Sequence, residues 1–204
     1  MSKTELNTVT ESRILEAAEK VFYLKGKDGT SMQDIADEAK LTRTSLNYYY
    51  RSKDKLFDIV FRNTMGHFLP KVADLLNSER SLIDLLPELV ELVIDSMLEK
   101  PQIPVFVLQE LSSNPERLPQ IWADLGIQPA ETLRKMKNDA LLAELPVDPR
   151  QLIINVISMC IFPFAAKPLL LELMYEHDEQ AYITAMEERK ELIQLMIKNM
   201  LKSS

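Results

Sequence analysis

The chain has 204 residues, 46% apolar and 27% charged, with a net charge of −7. That composition suits a globular protein long enough to bury a core, and its acidic balance excludes a general polyanion binder. A single cysteine, Cys160, excludes an internal disulfide and suits a reducing, cytoplasmic compartment, while the polar start MSKTELNTVTESR lacks the apolar region of a secretory signal.

The charge is spread unevenly. Residues 1–62 hold 11 Lys and Arg against 10 Asp and Glu, whereas residues 63–204 hold 13 against 21. All eleven prolines lie at or after Pro70, and three of the four glycines lie before it. The break predicts a compact N-terminal unit followed by a different C-terminal one. Apolar residues recur at helical spacing throughout and nowhere alternate for long, which predicts an all-α protein.

ESRILEAAEKVFYLKGKDG opens the helical series, with Ile14, Ala18, Val21 and Phe22 on one face and Gly26 as its stop. In TSMQDIADEA, Thr30 or Ser31 stands as N-cap, with Gln33 or Asp34 three residues on. Ile35, Ala36 and Ala39 would pack on the first helix. A break at Lys40-Leu41 precedes a second capped helix at Thr42. Two short helices joined by a tight turn and held by a third form a helix-turn-helix pattern.

KLTRTSLNYYYRSKDKL then places Tyr48, Tyr49 and Tyr50 side by side. Lys40, Arg43, Arg51, Lys53 and Lys55 face only Asp54 there, so the segment 40–55 is the basic patch of an acidic chain. Successive helical residues point about 100° apart, so three adjacent tyrosines cannot share one role. Tyr50, four residues after Leu46, belongs on the inner face. Tyr48 and Tyr49 turn sideways or outwards beside Arg43, Thr44 and Asn47, where a phenol can meet a phosphate oxygen.

Ser52 caps a fourth helix, SKDKLFDIVFRNTMGHFLPKVADLL, in which Gly66 and Pro70 predict a bend. In LIDLLPELVELVIDSML, residues Asp84, Glu88, Glu91, Asp95 and Glu99 form an acidic stripe. A solvated face explains that stripe more simply than a cation site does. DPRQLIINVISMCIFPFAAKPLLLELM is apolar on every side from Leu152 to Ala166, too short for the ~20 residues of a membrane span, which predicts burial on all sides with help from a partner subunit. Within it Pro163 removes the amide that would bond the Met159 carbonyl. The last helix, 178–202, sets Tyr182, Ala185, Met186, Ile193, Met196 and Met200 on one side, for a subunit interface or for ordinary core.

Residues 12–57 resemble the DNA-binding domain of the TetR family of transcriptional regulators, whose pattern runs T-S-x-x-x-I-A-x-x-A, a turn, a third helix and F-x-x-K-x-x-L. Thr30-Ser31, Ile35-Ala36, Ala39, Leu46, Tyr50, Lys53 and Leu56 supply it here. VFVLQELSSNPERLPQIW, residues 105–122, is more loosely similar to a stretch of the family's regulatory domains. Two departures stand out. Lys40 occupies the usual turn glycine, so that either it takes a left-handed backbone at some cost or the turn differs slightly. Asn47 occupies a common tyrosine and offers an amide able to pair with adenine.

The resemblance implies a helix-turn-helix DNA-binding domain over 1–51 and a larger helical ligand-binding and dimerisation domain over 52–204. It implies a dimer through 149–168 and 178–202, bound to a two-fold symmetric double-stranded operator and released by a small, largely apolar effector, which makes the chain a repressor. Arg43, Thr44 and Asn47 would face the major groove, with Thr42 and Ser45 beside them. Thr30, Ser31, Tyr48, Tyr49 and Lys53 would meet phosphates. For the effector, Met97, Phe106, Trp122, Met136, Met159, Phe162 and Phe164 are candidate apolar walls, with Gln109, Glu110 or Asn155 to orient it. No catalytic constellation, metal-ligand spacing or cofactor motif occurs, and the two histidines, His67 and His177, are far apart, so no enzyme, cofactor or membrane partner is expected. Two other readings share the sequence: a DNA-binding protein of this fold governed by a protein partner or by no effector, and a helical adaptor whose basic patch meets an acidic protein.

Overall fold

The structure, a computed structural model, describes residues 3–128, 130–131, 134 and 148–202. Those residues form ten helices and no strand, so the all-α expectation holds. In chain order the helices are α1 (Lys3–Lys25), α2 (Met32–Glu38), α3 (Arg43–Tyr49), α4 (Lys53–Asn77) and α5 (Leu82–Glu99). They continue with α6 (Ile103–Ser113), α7 (Arg117–Asp124), α8 (Pro149–Ala165), α9 (Lys167–Met174) and α10 (Glu179–Lys202). The chain divides into two compact units, Met1–His67 with Val105–Pro115, and Phe68–Pro104 with Glu116–Ser204.

In the first unit α1 packs on α2 and α2 on α3. The buried stripe Ile14, Ala18, Val21 and Phe22 of α1 recurs every three or four residues, as a helix with one face in a core requires. Ile35, Ala36 and Ala39 join it, followed by Leu46 and by Leu56, Phe57, Val60 and Phe61 of α4. Phe22 meets Phe57 edge-on at 5.0 Å between centroids. Phe106 of α6 inserts among Tyr23, Phe57 and Phe61 at 4.9–5.7 Å, so this core is aromatic where α1, α4 and α6 converge. Burial pushes the Tyr23 phenol up to about 12, and its hydroxyl lies 2.9 Å from the buried Thr64 hydroxyl.

One detail of this unit departs from the sequence reading: α1 begins at Lys3, two turns before the segment that the apolar spacing marks. α4 continues as one helix through Gly66 and Pro70, because a helical proline forfeits one amide bond without having to end the helix.

In the second unit α5 is the central rod, packed against α8 and α10. It buries Leu85, Leu86, Val90, Ile94 and Met97. Its acidic residues are exposed and largely paired: Glu88 with Arg80 at 2.6 Å, Asp95 with Lys190, and Glu91 accepting from Gln194 at 3.2 Å. The stripe is a solvated face.

α8 buries Leu152, Val156, Cys160 and Phe164, one residue every four, and leaves Ile154, Ile157 and Phe162 exposed. Within the chain this helix is therefore covered on one side, not on all. The face of α10 also divides. Tyr182, Met186 and Ile193 turn into the unit with Ile197, whereas Met196, about 60° round the helix from Ile193, is exposed with Leu192 and Leu195. The carbonyl freed by Pro163 is not left bare: Arg189 of α10 donates its Nε–H to Met159 O at 2.7 Å. Tyr182 donates its hydroxyl to Pro163 O at 3.2 Å. Both bonds join α10 to α8 where the proline weakens the intrahelical ladder. α8 and α9 meet at a bend of 74°, and no single described helix is long and apolar enough to cross a membrane.

Candidate nucleic-acid interface

The interface begins with the two caps. Ser31 is the N-cap of α2: its hydroxyl accepts from the Asp34 amide at 3.1 Å, while its own amide donates to Asp34 Oδ2 at 2.7 Å. The box is completed from α1, where Lys25 reaches Asp34 at 2.6 Å. That hydrogen bond, reinforced by those from Ser31, holds the Asp34 carboxyl well below the usual carboxylate range. Thr42 caps α3 in extended conformation, its hydroxyl accepting from the Ser45 amide at 3.1 Å. The two hydroxyls of Thr42 and Ser45 also lie 2.9 Å apart. Between the caps, Lys40 takes φ +53°, the left-handed turn expected where the family pattern has glycine.

α3 is seven residues long and fully buries only Leu46. Thr42, Arg43, Thr44, Asn47 and Tyr48 are exposed around it, and Ser45 and Tyr49 are half-buried. The residues expected to read DNA thus share one open surface of the first unit, with Lys40, Arg51 and Lys55 exposed nearby in sequence. The three tyrosines divide as helical geometry demands. Tyr48 is 76% exposed. Tyr49 meets Tyr48 edge-on at 5.3 Å and donates its hydroxyl to Asn7 Oδ1 at 3.0 Å. Tyr50 leaves the helix as its C-cap, half-buried, and burial raises its phenol, with the Glu11 carboxylate adding to the effect.

Two expected phosphate ligands are engaged inside the fold. Thr30 is buried, its hydroxyl donating to Gly26 O at 2.6 Å. Lys53, half-buried, donates its ammonium to Lys27 O at 2.8 Å and to Thr30 O at 3.0 Å. It ties the loop between α1 and α2 to the start of α4, and one ammonium hydrogen remains. A lysine in the basic run carries no sequence sign of this role; only the return of the 27–30 loop to α4 discloses it.

The effector candidates belong to both units. Phe106, Gln109 and Glu110 lie on α6 in the first unit, beside an open cleft of about 650 Å³ between the loop 25–29 and α6, floored by Phe57 and Phe106. Gly26 takes φ +68°, and a side chain there would press within 3.1 Å of Gln109 Oε1. Met97, Trp122, Asn155, Met159, Phe162 and Phe164 belong to the second unit. Met97 and Phe164 are buried in its core, while Asn155 and Phe162 are exposed. Met136 lies outside the described residues. The Trp122 indole N–H is buried and meets no acceptor among the described residues. No group of three His, Cys, Asp or Glu among those residues is placed to hold a metal ion.

Comparisons with known proteins bear on the same unit. Residues 14–60 match the family model described as bacterial regulatory proteins, tetR family. The chain is 27% identical over 108 residues to the biofilm operon icaADBC HTH-type negative transcriptional regulator IcaR of Staphylococcus epidermidis. That match takes in 53% of this chain and 56% of the relative, little more than half its length. Among solved structures, SCO4942 from Streptomyces coelicolor, described as a transcriptional regulator, superposes with a TM-score of 0.66 at 18% identity, over 94% of this chain and 97% of that one. HlyIIR, a hemolysin II transcriptional regulator, gives 0.61 at 25% identity over 87% and 97%. The two structural matches extend over both units, so the fold of the whole chain is that of these regulators.

Proposed function

We propose that this chain, a transcriptional regulator with a TetR-family DNA-binding domain, acts as a dimeric repressor that a small, largely apolar effector releases from a two-fold symmetric operator. One observation carries the reading: α3 is capped at Thr42, anchored by Leu46, and presents Arg43, Thr44, Asn47 and Tyr48 to solvent. A short helix with one buried anchor and an open face of guanidinium, hydroxyl and amide groups suits the major groove, where those groups pair with base edges and phosphates. The body over 52–204 is then the regulatory domain. A repressor rather than an activator accords with the negative regulator to which the chain is similar.

Dimerisation is supported by the apolar residues that α8 and α10 leave open. Ile154, Ile157 and Phe162 on one, and Leu192, Leu195 and Met196 on the other, are 47–59% exposed. Two helices of one unit each present such a face, and a second copy covering both gives an isologous interface with two reading helices. An effector is supported by the buried indole N–H of Trp122, which a ligand acceptor would satisfy. Such a ligand acts only by binding the DNA-incompetent arrangement more tightly. Against this, the candidate effector residues are divided between two units, and that division favours a second reading: control by a protein partner. A DNA partner also accords with the cytoplasmic location expected from the sequence.

The test is selection of genomic fragments by the purified protein. The reading expects salt-dependent binding to a duplex with two-fold symmetry. A protein that enriches no sequence is no such regulator, and the adaptor reading then stands. Compounds that raise thermal stability and weaken operator binding separate effector control from partner control.

A further inference from the structure

We infer that Asn7 is a positioning residue for DNA recognition: from the start of α1 it anchors Tyr49, and through Tyr49 it aims the exposed Tyr48 at a phosphate. This rests on the DNA-binding reading above and adds to the interface a segment upstream of the family match, which begins at residue 14.

The need for an anchor follows from where α3 stops. The helix ends at Tyr49, and Tyr50 turns away in extended conformation (φ −134°, ψ 107°). No further turn of α3 packs over the Tyr49 ring, so its orientation must be held from elsewhere. α1 supplies the hold because it starts at Lys3, early enough to run beside the end of α3. The Tyr49 hydroxyl donates to Asn7 Oδ1 at 3.0 Å across 42 residues of sequence. One turn further along the same face of α1, the Glu11 carboxylate acts on the phenol of Tyr50. Residues 7 and 11 are i and i+4, so a single stripe of α1 lies along the C-terminal end of α3.

The bond divides the work of the two rings. Tyr49 has one hydroxyl hydrogen, and Asn7 takes it, so while that bond holds Tyr49 cannot donate to a phosphate oxygen. Tyr48 keeps its hydrogen for that purpose and is 76% exposed. Its ring meets the fixed Tyr49 ring edge-on, at 5.3 Å and 89°, which restricts its rotamers before DNA arrives. Holding a ring in its bound orientation reduces the entropy lost on binding, which is how a residue that touches no nucleic acid raises affinity.

The experiment is a mutant cycle with the full-length protein on its selected operator duplex, measured by fluorescence anisotropy and accompanied by thermal unfolding of each variant. Asn7→Ala and Tyr49→Phe should each weaken binding about 3- to 10-fold, with Tm nearly unchanged. In a Tyr48→Phe background, Asn7→Ala should cost less than about 2-fold, because its effect passes through the Tyr48 hydroxyl. A purely structural role would give the same loss in both backgrounds, and that result overturns the inference. So does an Asn7→Ala protein that binds as tightly as wild type. A wild-type protein that holds no duplex overturns the regulator reading and this one with it, so the two failures are distinct.

Discussion

Replacing Arg189 by Leu should destabilise the second unit through a carbonyl 30 residues away in sequence. Pro163 has no amide, so Met159 O lacks its intrahelical donor, and the Arg189 Nε–H at 2.7 Å stands in for it. The guanidinium is charged and the bond part-buried, so losing it should cost about 1.5–3 kcal/mol, while leucine preserves much of the apolar stem. For a chain of this size each kcal/mol shifts Tm by ~2–4 °C, which gives a fall of roughly 3–12 °C. The assay is thermal unfolding followed by circular dichroism at one fixed protein concentration, since association shifts Tm. The decisive comparison repeats the change in a Pro163→Ala background. There residue 163 regains an amide, Met159 O recovers its donor, and Arg189→Leu should cost ~1 kcal/mol or less. Equal losses in the two backgrounds, or no loss in the first, would refute the compensation.

Lys53→Met removes the two bonds to the carbonyls of Lys27 and Thr30, so it should lower Tm by several degrees as well as weakening every duplex alike. An unchanged Tm with a salt slope reduced by about one would make Lys53 a phosphate ligand alone. Arg43→Ala should cost ~1–3 kcal/mol on the operator and relax preference at one base pair; equal binding of operator and random duplex, as in wild type, would remove Arg43 from base reading. Lys40→Gly should raise stability by ~0.5–1 kcal/mol, because a left-handed lysine carries a steric cost slightly above the extra unfolded-state entropy of glycine, and a lower Tm would contradict that balance. Burial pushes the Cys160 thiol from 9.0 up to about 11, so the native protein should resist thiol reagents at pH 8 and react once unfolded. The sign of the linkage is negative: between pH 9 and 11 the unfolded chain loses a proton that the folded chain keeps, so stability falls as pH rises, and fast labelling of native protein would contradict the burial.

Local chemistry was the legible part of this molecule. Gly26 stops its helix at positive φ, Ser31 with Asp34 forms a capping box, Thr42 caps α3, and Lys40 sits in the left-handed region. Each feature depends on a few adjacent residues and on steric rules that no distant contact overrides. The outward turn of Tyr48 was readable from helical periodicity. What periodicity does not carry is partnership. The sequence offers Lys53 and Thr30 as phosphate ligands, but not the two carbonyls of the 27–30 loop that Lys53 also holds, nor the bond from the Thr30 hydroxyl to Gly26 O. The same limit applies to α8, where an apolar run states that a surface will be covered but not by what. It applies again to the effector candidates, since Phe106 and Trp122 look alike in composition yet belong to different units. The early start of α1 is not legible in the sequence because Thr8 and Thr10 are weak helix formers, and the bond from the Tyr49 hydroxyl to Asn7 that ties this end to α3 lies 42 residues away.

The central claim, that α3 reads DNA from a two-fold dimer, meets its most direct test in footprinting on the duplex recovered from genomic selection, with sedimentation of the same complex. The account predicts one dimer per duplex and two protected half-sites related by two-fold symmetry, with centres about 34 Å, or a multiple of that, apart along one face of the helix. It further predicts that Ile157→Glu combined with Met196→Glu leaves folded monomers whose operator affinity falls steeply, because both side chains lie on the open apolar faces of α8 and α10. A single protected half-site bound by a wild-type monomer, or wild-type affinity in that double variant, would contradict it.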